Sequence, residues 1–257
     1  MKIKRKSALR IGCVKYLNAR PLIHGWEGEV VLDHPSALCA QLARGDLDVA
    51  LVSSFEFLRN PIYRIVDGVS IASDGLVYSV VVAHRGKFAN TREIALDPAA
   101  QTSGNLLRCL LGELNLNPSV GSAPSNSGES ARLLIGDQAI CFRQQHGDDF
   151  EFWDLGEQWK KLQGVPFVYA LWLVRPEVEN AKSIADRLRR VRDDNLRNLD
   201  TVIASQREFP AEFCRQYYHK YLRFSFGEEE KQGLRAFAEL CRKHRLLPKR
   251  DLVQELV

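Results

Sequence analysis

Residues 9–54 read LRIGCVKYLNARPLIHGWEGEVVLDHPSALCAQLARGDLDVALVSS. LRIGCV (9–14), EVVLDH (29–34) and DVALV (48–52) are short runs rich in β-branched and aliphatic residues, the composition of strands. Between the second and third lies SALCAQLARG, a helix with Pro35 at its entrance, Leu38 and Leu42 on one face, and Gly45 as its C-terminal stop. Strand and helix alternating at this spacing make βαβ units, which build a parallel sheet. DVALV is apolar almost throughout, as a strand covered on both faces has to be. Residues 18–24 follow the first strand as a short helix whose first turn admits Pro21, where no N–H is needed. Ligands in open α/β sheets bind beyond the carboxyl ends of the strands, so VKYLN (14–18) and SSFE (53–56) fall at one edge.

Farther along, LVYSVVVAH (76–84) and VPFVYALWLV (165–174) read as two longer strands. Between them lies a second αβ pattern: EIALD (93–97), a helix with Leu106, Leu107, Leu110 and Leu111 at helical spacing, and RLLIGD (132–137). The simplest architecture is α/β and two-lobed, with a ligand cleft between lobes that hinge about it. Residues 1–83 and 173–257 form the first lobe, and 84–172 form an inserted second lobe. After Pro176 the pattern turns helical, with Ile184, Leu188, Val191, Leu199 and Val202 on one apolar stripe and two more helices over 213–221 and 228–244.

Composition sets the class of protein. The 257 residues, 45% hydrophobic and 26% charged, are those of an ordinary globular chain. Lys2, Lys4, Arg5 and Lys6 are followed by no apolar stretch of secretory length, which predicts a cytoplasmic protein. The longest apolar runs are of strand length, far short of the roughly 20 residues of a membrane span, so no membrane partner is expected. Six cysteines without a C-x-x-C pair read as reduced, mostly buried thiols, and no metal or cofactor is expected. Residues 182–250 hold 17 Lys and Arg against 10 Asp and Glu, but the two signs interleave, so the excess reads as solvated helix faces and no nucleic-acid partner is expected.

No metalloprotease, nucleophile-elbow, P-loop or dinucleotide motif occurs. What remains is a set of small polar residues at loop positions. Thr102 and Ser103 open the leucine-rich helix, where free N–H groups favour an anion and where a plain N-cap is the competing reading. Asn18 either closes a turn or faces a ligand; Ser79 either faces a neighbouring strand or lines the site. Ser53, Ser54, Gly136 and Asp137 sit at strand exits, and Tyr16 beside Asn18 is placed to contact a ring. Phe167, Tyr169 and Trp172 read as core.

Taken together, IGCVKYLNARPL, PSALCAQLARGDLDVALVSSFE, the ALD and TS elements around Asp97 and Ser103, LLIGD, and DLGEQWKKLQGVPFVYALW closely resemble one family. It is the chorismate dehydratases of the futalosine route to menaquinone, which have the type II periplasmic-binding-protein fold. The resemblance covers most of the chain. It implies a small anionic substrate, chorismate, that loses water to give 3-[(1-carboxyvinyl)oxy]benzoate. Helix N-termini, hydroxyls and an amide would hold the dianion without a metal. The implied roles are Asn18 and Ser79 as catalytic residues at the ring or its enolpyruvyl group, and Thr102 and Ser103 at a carboxylate. With no persuasive protein base, the substrate's own side-chain carboxylate is the implied proton acceptor.

This sequence departs from the family pattern at Tyr78 and Gln101, where Arg is frequent before the serine and before the Thr-Ser pair, and at Lys15, where a small polar residue is usual. Two guanidinium groups are strong bidentate carboxylate partners, and Lys15 or Arg20 is placed to replace one. Alternative functions with this fold are a transporter's binding protein, a divergent anion binder, a 1,4-dihydroxy-6-naphthoate synthase and a regulator's effector domain. The absent secretory signal and helix-turn-helix segment weigh against the first and last.

Overall fold

The computed structural model of the chain describes residues 9–97, 100–121, 131–249 and 254–257; Lys2, Lys4, Arg5 and Lys6 lie outside the described residues. The opening alternation folds as read. β1 (Ile11–Val14) pairs in parallel with β2 (Val30–Asp33) and with β3 (Val49–Ser53). Helix α1 (Pro35–Arg44) joins β2 to β3 and stops at Gly45, whose φ of 82° is the left-handed conformation a glycine cap supplies. Residues 17–22, expected as part of a helix over 18–24, form only a 3₁₀ turn, Leu17–Leu22, because Pro21 removes a donor inside it.

Helix α2 (Ser54–Arg59) follows β3 directly, and β4 (Arg64–Ser73) ends the first crossing of this lobe. The chain then enters a second sheet built from β5 (Val80–His84), β6 (Glu93–Ala95), β7 (Ser119–Gly121), β8 (Ala131–Ile135) and β9 (Glu151–Asp154). Its helices are α3 (Gln101–Glu113), α4 (Gly136–Gln145) and α5 (Leu155–Gln163). β10 (Phe167–Val174), buried at all eight positions, returns to the first sheet. The two strand orders, β2-β1-β3-β10-β4 and β7-β6-β8-β5-β9, share one plan. In each, the strand that arrives from the other lobe runs antiparallel to its neighbours.

Sheet membership therefore differs from the expected 84–172 insertion. Val80–His84 pairs wholly within the second sheet, and Phe167–Val174 wholly within the first. The run expected as one strand over 76–84 begins only at Val80. The buried Asp154 carboxylate accepts the N–H groups of Val77 (3.1 Å) and Tyr78 (2.8 Å), which removes them from any ladder. Tyr78 itself has φ 69°, a left-handed turn that no strand contains.

The C-terminal helices α6 (Ala181–Arg197), α7 (Leu199–Ala204), α8 (Ala211–Gln216) and α9 (Glu228–Lys243) cover the first lobe. α6 packs on β4 and the 3₁₀ turn, and α9 on β10 and on α3 of the second lobe. Between α8 and α9 one π-helical turn, Tyr217–Tyr221, places two consecutive tyrosines against the junction of the lobes. Among the described residues no helix is long and apolar enough to cross a membrane.

Candidate active site

A cleft opens where β1, β3 and β8 end, at Val14, Ser53 and Ile135. This is the carboxyl edge on which α/β sheets bind ligands. Three helices begin there: α1 at Pro35, α3 at Gln101 to Ser103, and α4 at Gly136. Among the described residues none of the three has a side-chain cap, whereas Asp154 caps α5 by accepting the Glu157 N–H at 3.0 Å. First-turn N–H groups have no helical carbonyl to accept them. At the cleft α1 presents Pro35, which has no N–H, and the Gly136 N–H of α4 goes to the Ser79 carbonyl at 2.8 Å, so the N–H groups that meet a ligand are those of α3. The described lining includes no Lys, Arg, His, Asp, Glu or Cys. An anion held here is met by backbone N–H, hydroxyl and amide groups.

The expected site residues Tyr16, Asn18, Ser53, Ser79, Thr102, Ser103 and Gly136 all line this cleft. Tyr16 and Asn18 are presented by the 3₁₀ turn, which is anchored at Leu17 between them. Leu17 donates its N–H to the Asp137 carboxylate across the cleft (2.8 Å) and accepts the Tyr218 hydroxyl at its carbonyl (3.0 Å). Asn18 Oδ1 is buried with no partner among the described groups, and so is Gln101 Oε1. The Tyr16 ring lies flat against Gly136: a Cβ built there would sit 2.9 Å from its Cγ. Burial, with Asp97 and Asp137 nearby, pushes the Tyr16 phenol up to about 12, so it stays neutral.

Ser79 is fully buried and held from two sides. Tyr217 donates its hydroxyl to Ser79 Oγ at 2.6 Å, and the Ser79 carbonyl accepts the Gly136 N–H at 2.8 Å. Thr102 ties the lobes together. Its hydroxyl bonds Ser53 Oγ, accepts the Phe55 N–H (3.3 Å) and donates to the Tyr169 carbonyl (3.3 Å). That leaves the Gln101 amide, the Ser103 hydroxyl and the first-turn N–H groups as the donors that α3 brings to the cleft.

Two expected residues do not line it. Ser54 donates to the Val168 carbonyl at 2.7 Å and serves the junction of α2 with β10. Asp137 is turned toward Leu17; burial raises its carboxyl to about 6, opposed by the Leu17 N–H. The departures also resolve. Gln101 lines the cleft, but Tyr78 is packed away from it, stacked on Tyr221 at 5.3 Å with the Arg143 guanidinium over its ring. Lys15 and Arg20 line a neighbouring recess with His24, and Arg20 is paired to Glu208 at 2.5 Å. Neither brings a cationic group into the described lining of the cleft.

A sequence profile for menaquinone biosynthesis matches residues 9–243. The chain belongs to this menaquinone-biosynthesis family. Among relatives, a chorismate dehydratase of Thermus thermophilus is 30% identical over 254 residues, spanning 89% of this chain and 93% of its own length. One from Campylobacter jejuni is 24% identical over 229 residues, spanning 88% and 91%. A solved structure from Archaeoglobus fulgidus superposes with a TM-score of 0.75 at 16% identity, covering 93% of this chain and 98% of that one. The periplasmic aliphatic sulphonate binding protein SsuA of Escherichia coli gives 0.64 at 15% identity, covering 95% and 94%. The fold is thus that of the periplasmic binding proteins, as the strand order already indicates.

Within the family fold, three residues that hold the site escaped the sequence reading: Asp154, Tyr217 and Tyr218. Asp154 opens a helix three residues before Glu157, a spacing that signals a cap. The tyrosines carried no such sign, because their partners are 138 and 201 positions away.

Proposed function

We propose that this chain is a chorismate dehydratase, a hydro-lyase that acts in the cytoplasm on the route to menaquinone. The observation that carries the reading is a cleft with three uncapped helix N-termini and no charged side chain in its described lining, in a chain of this family. Chorismate is a dianion on a cyclohexadiene ring. Its carboxylates match the first-turn N–H groups of α3 and the Ser103 hydroxyl, and its ring matches the Tyr16 face and the apolar walls at Val77, Val80 and Ile135.

The reaction removes the hydrogen at C3 as a proton and the hydroxyl at C4 with its bonding electrons. The C3–H pair becomes the last ring double bond, and the departing oxygen takes a proton to leave as water. Aromatisation drives the step, so little acid–base strength is needed from the protein. The absence of a carboxylate or imidazole from the described lining favours the substrate's own enolpyruvyl carboxylate as the carrier of that proton. Asn18 and Ser79 contact the ring or its enolpyruvyl group and orient this carboxylate over C3.

The test is steady-state kinetics with chorismate on Asn18→Ala and Ser79→Ala. The proposal expects each to lower kcat by roughly 10²-fold or more, the scale of removing a positioned polar group. Full activity in both variants would remove these residues from the mechanism.

A further inference from the structure

Tyr217 and Ser79 make a buried hydroxyl pair at 2.6 Å, in which the phenol is the donor. A serine oxygen that accepts one hydrogen bond keeps its own proton for another partner. The Tyr217 ring leaves no freedom in where its hydroxyl points. It is wholly buried, stacked on Phe213 at 5.7 Å, and flanked by Tyr218 and Tyr221. The backbone that carries it is the π-helical turn after α8, a widened turn of the kind that interrupts helices at functional positions. From the other side, Asp154 fixes the N–H groups of Val77 and Tyr78, and the Gly136 N–H fixes the Ser79 carbonyl. With its backbone and its oxygen both held, the Ser79 hydroxyl proton has the cleft as its open direction.

We propose that Tyr217 is a positioning residue that orients the Ser79 hydroxyl so that its proton faces an oxygen of the bound substrate. This rests on the dehydratase reading and deepens it. Tyr217 transfers no proton, since burial pushes its phenol well above the usual tyrosine range and a tyrosinate there is costly. Its contribution is a hydrogen-bond chain, Tyr217 to Ser79 to substrate, in which each bond polarises the next.

The experiment is a double-mutant cycle on the full-length protein with Tyr217→Phe, Ser79→Ala and the double variant. With chorismate, Tyr217→Phe is expected to lower kcat about 10- to 30-fold with KM within about threefold, and the double variant to be no slower than Ser79→Ala alone. Tyr218→Phe removes the neighbouring buried hydroxyl, whose partner is the Leu17 carbonyl, so its loss should multiply with that of Ser79→Ala. A fluorinated tyrosine at position 217 keeps the shape and strengthens the donor, and should hold kcat at or above that of the unmodified protein. It also keeps the test open should Tyr217→Phe fold poorly.

The same cycle is read as affinity for 3-[(1-carboxyvinyl)oxy]benzoate by titration calorimetry, which needs no turnover. Each single variant should weaken binding about threefold and the double no further. An unmodified protein without turnover sinks the dehydratase reading, while the calorimetric cycle still decides the role of Tyr217. Losses that multiply between Tyr217→Phe and Ser79→Ala, or a Tyr217→Phe protein equal to the unmodified one in both assays, would overturn the proposal.

Discussion

Gly136→Ala tests whether the two lobes meet across the cleft as described. Gly136 has φ 57°, and an added Cβ would lie 2.9 to 3.1 Å from the Cγ and Cδ atoms of Tyr16. Two costs follow, and they separate by state. The left-handed backbone costs an L-residue roughly 1–2 kcal/mol whether the lobes are open or closed. With about 2–4 °C per kcal/mol for a chain of this size, the melting temperature should fall by roughly 2–8 °C. The clash with Tyr16 exists only when Gly136 of the second lobe meets the first. Overpacking of this kind costs about 1–3 kcal/mol, which is roughly a 5- to 150-fold loss of ligand affinity. Differential scanning calorimetry reads the first cost, and titration with 3-[(1-carboxyvinyl)oxy]benzoate reads the second. Adding Tyr16→Ala should not restore the melting temperature but should reduce the further penalty on affinity from Gly136→Ala. A Gly136→Ala protein that binds within twofold of the unmodified chain would refute the cross-cleft contact.

Three further outcomes are expected. Asp154→Ala leaves the N–H groups of Val77, Tyr78 and Glu157 without their acceptor in a buried setting, and at about 1–3 kcal/mol per unsatisfied group it should be the most destabilising of these variants by urea titration. Asp137 has a folded value of about 6 against an ordinary 3.8, so the folded protein holds its proton more tightly. Its contribution to stability is full below pH 4 and is lost as pH rises to 6, by at most about 3 kcal/mol. The difference in stability between Asp137→Asn and the unmodified chain should therefore change across pH 4–6 and stay level above it. Thr102→Val removes the bonds to Ser53, Phe55 and Tyr169 that join α3 to the first lobe, and should cost about 1–3 kcal/mol while weakening ligand binding.

The first lobe was legible because its signals are local. Residues 9–54 alternate strand and helix with a glycine stop at Gly45, and each of those features acts within a few residues. The short edge strands β7 and β9 and the helix α4 were not legible, since β7 is only half apolar and α4 starts at a residue that reads as a turn. The strand expected over 76–84 failed for a tertiary reason. Asp154, far along the chain, captures two N–H groups that local propensity assigns to a ladder. At the site, position at strand ends and helix starts picked out Tyr16, Asn18, Ser53, Ser79, Thr102, Ser103 and Gly136 as candidates, along with Ser54 and Asp137, which do not line the cleft. Of their supports, Asp154 left only its cap spacing before Glu157, and Tyr217 and Tyr218 left no sign, because a side chain whose partner lies far along the chain leaves no periodic trace in the sequence.

The most direct measurement is the mass of the product after chorismate is incubated with the purified protein. Loss of chorismate absorbance and the appearance of a compound lighter by one water, matching 3-[(1-carboxyvinyl)oxy]benzoate, are expected. Tight binding of chorismate with its mass unchanged would contradict the dehydratase reading and leave a cleft that binds without catalysing.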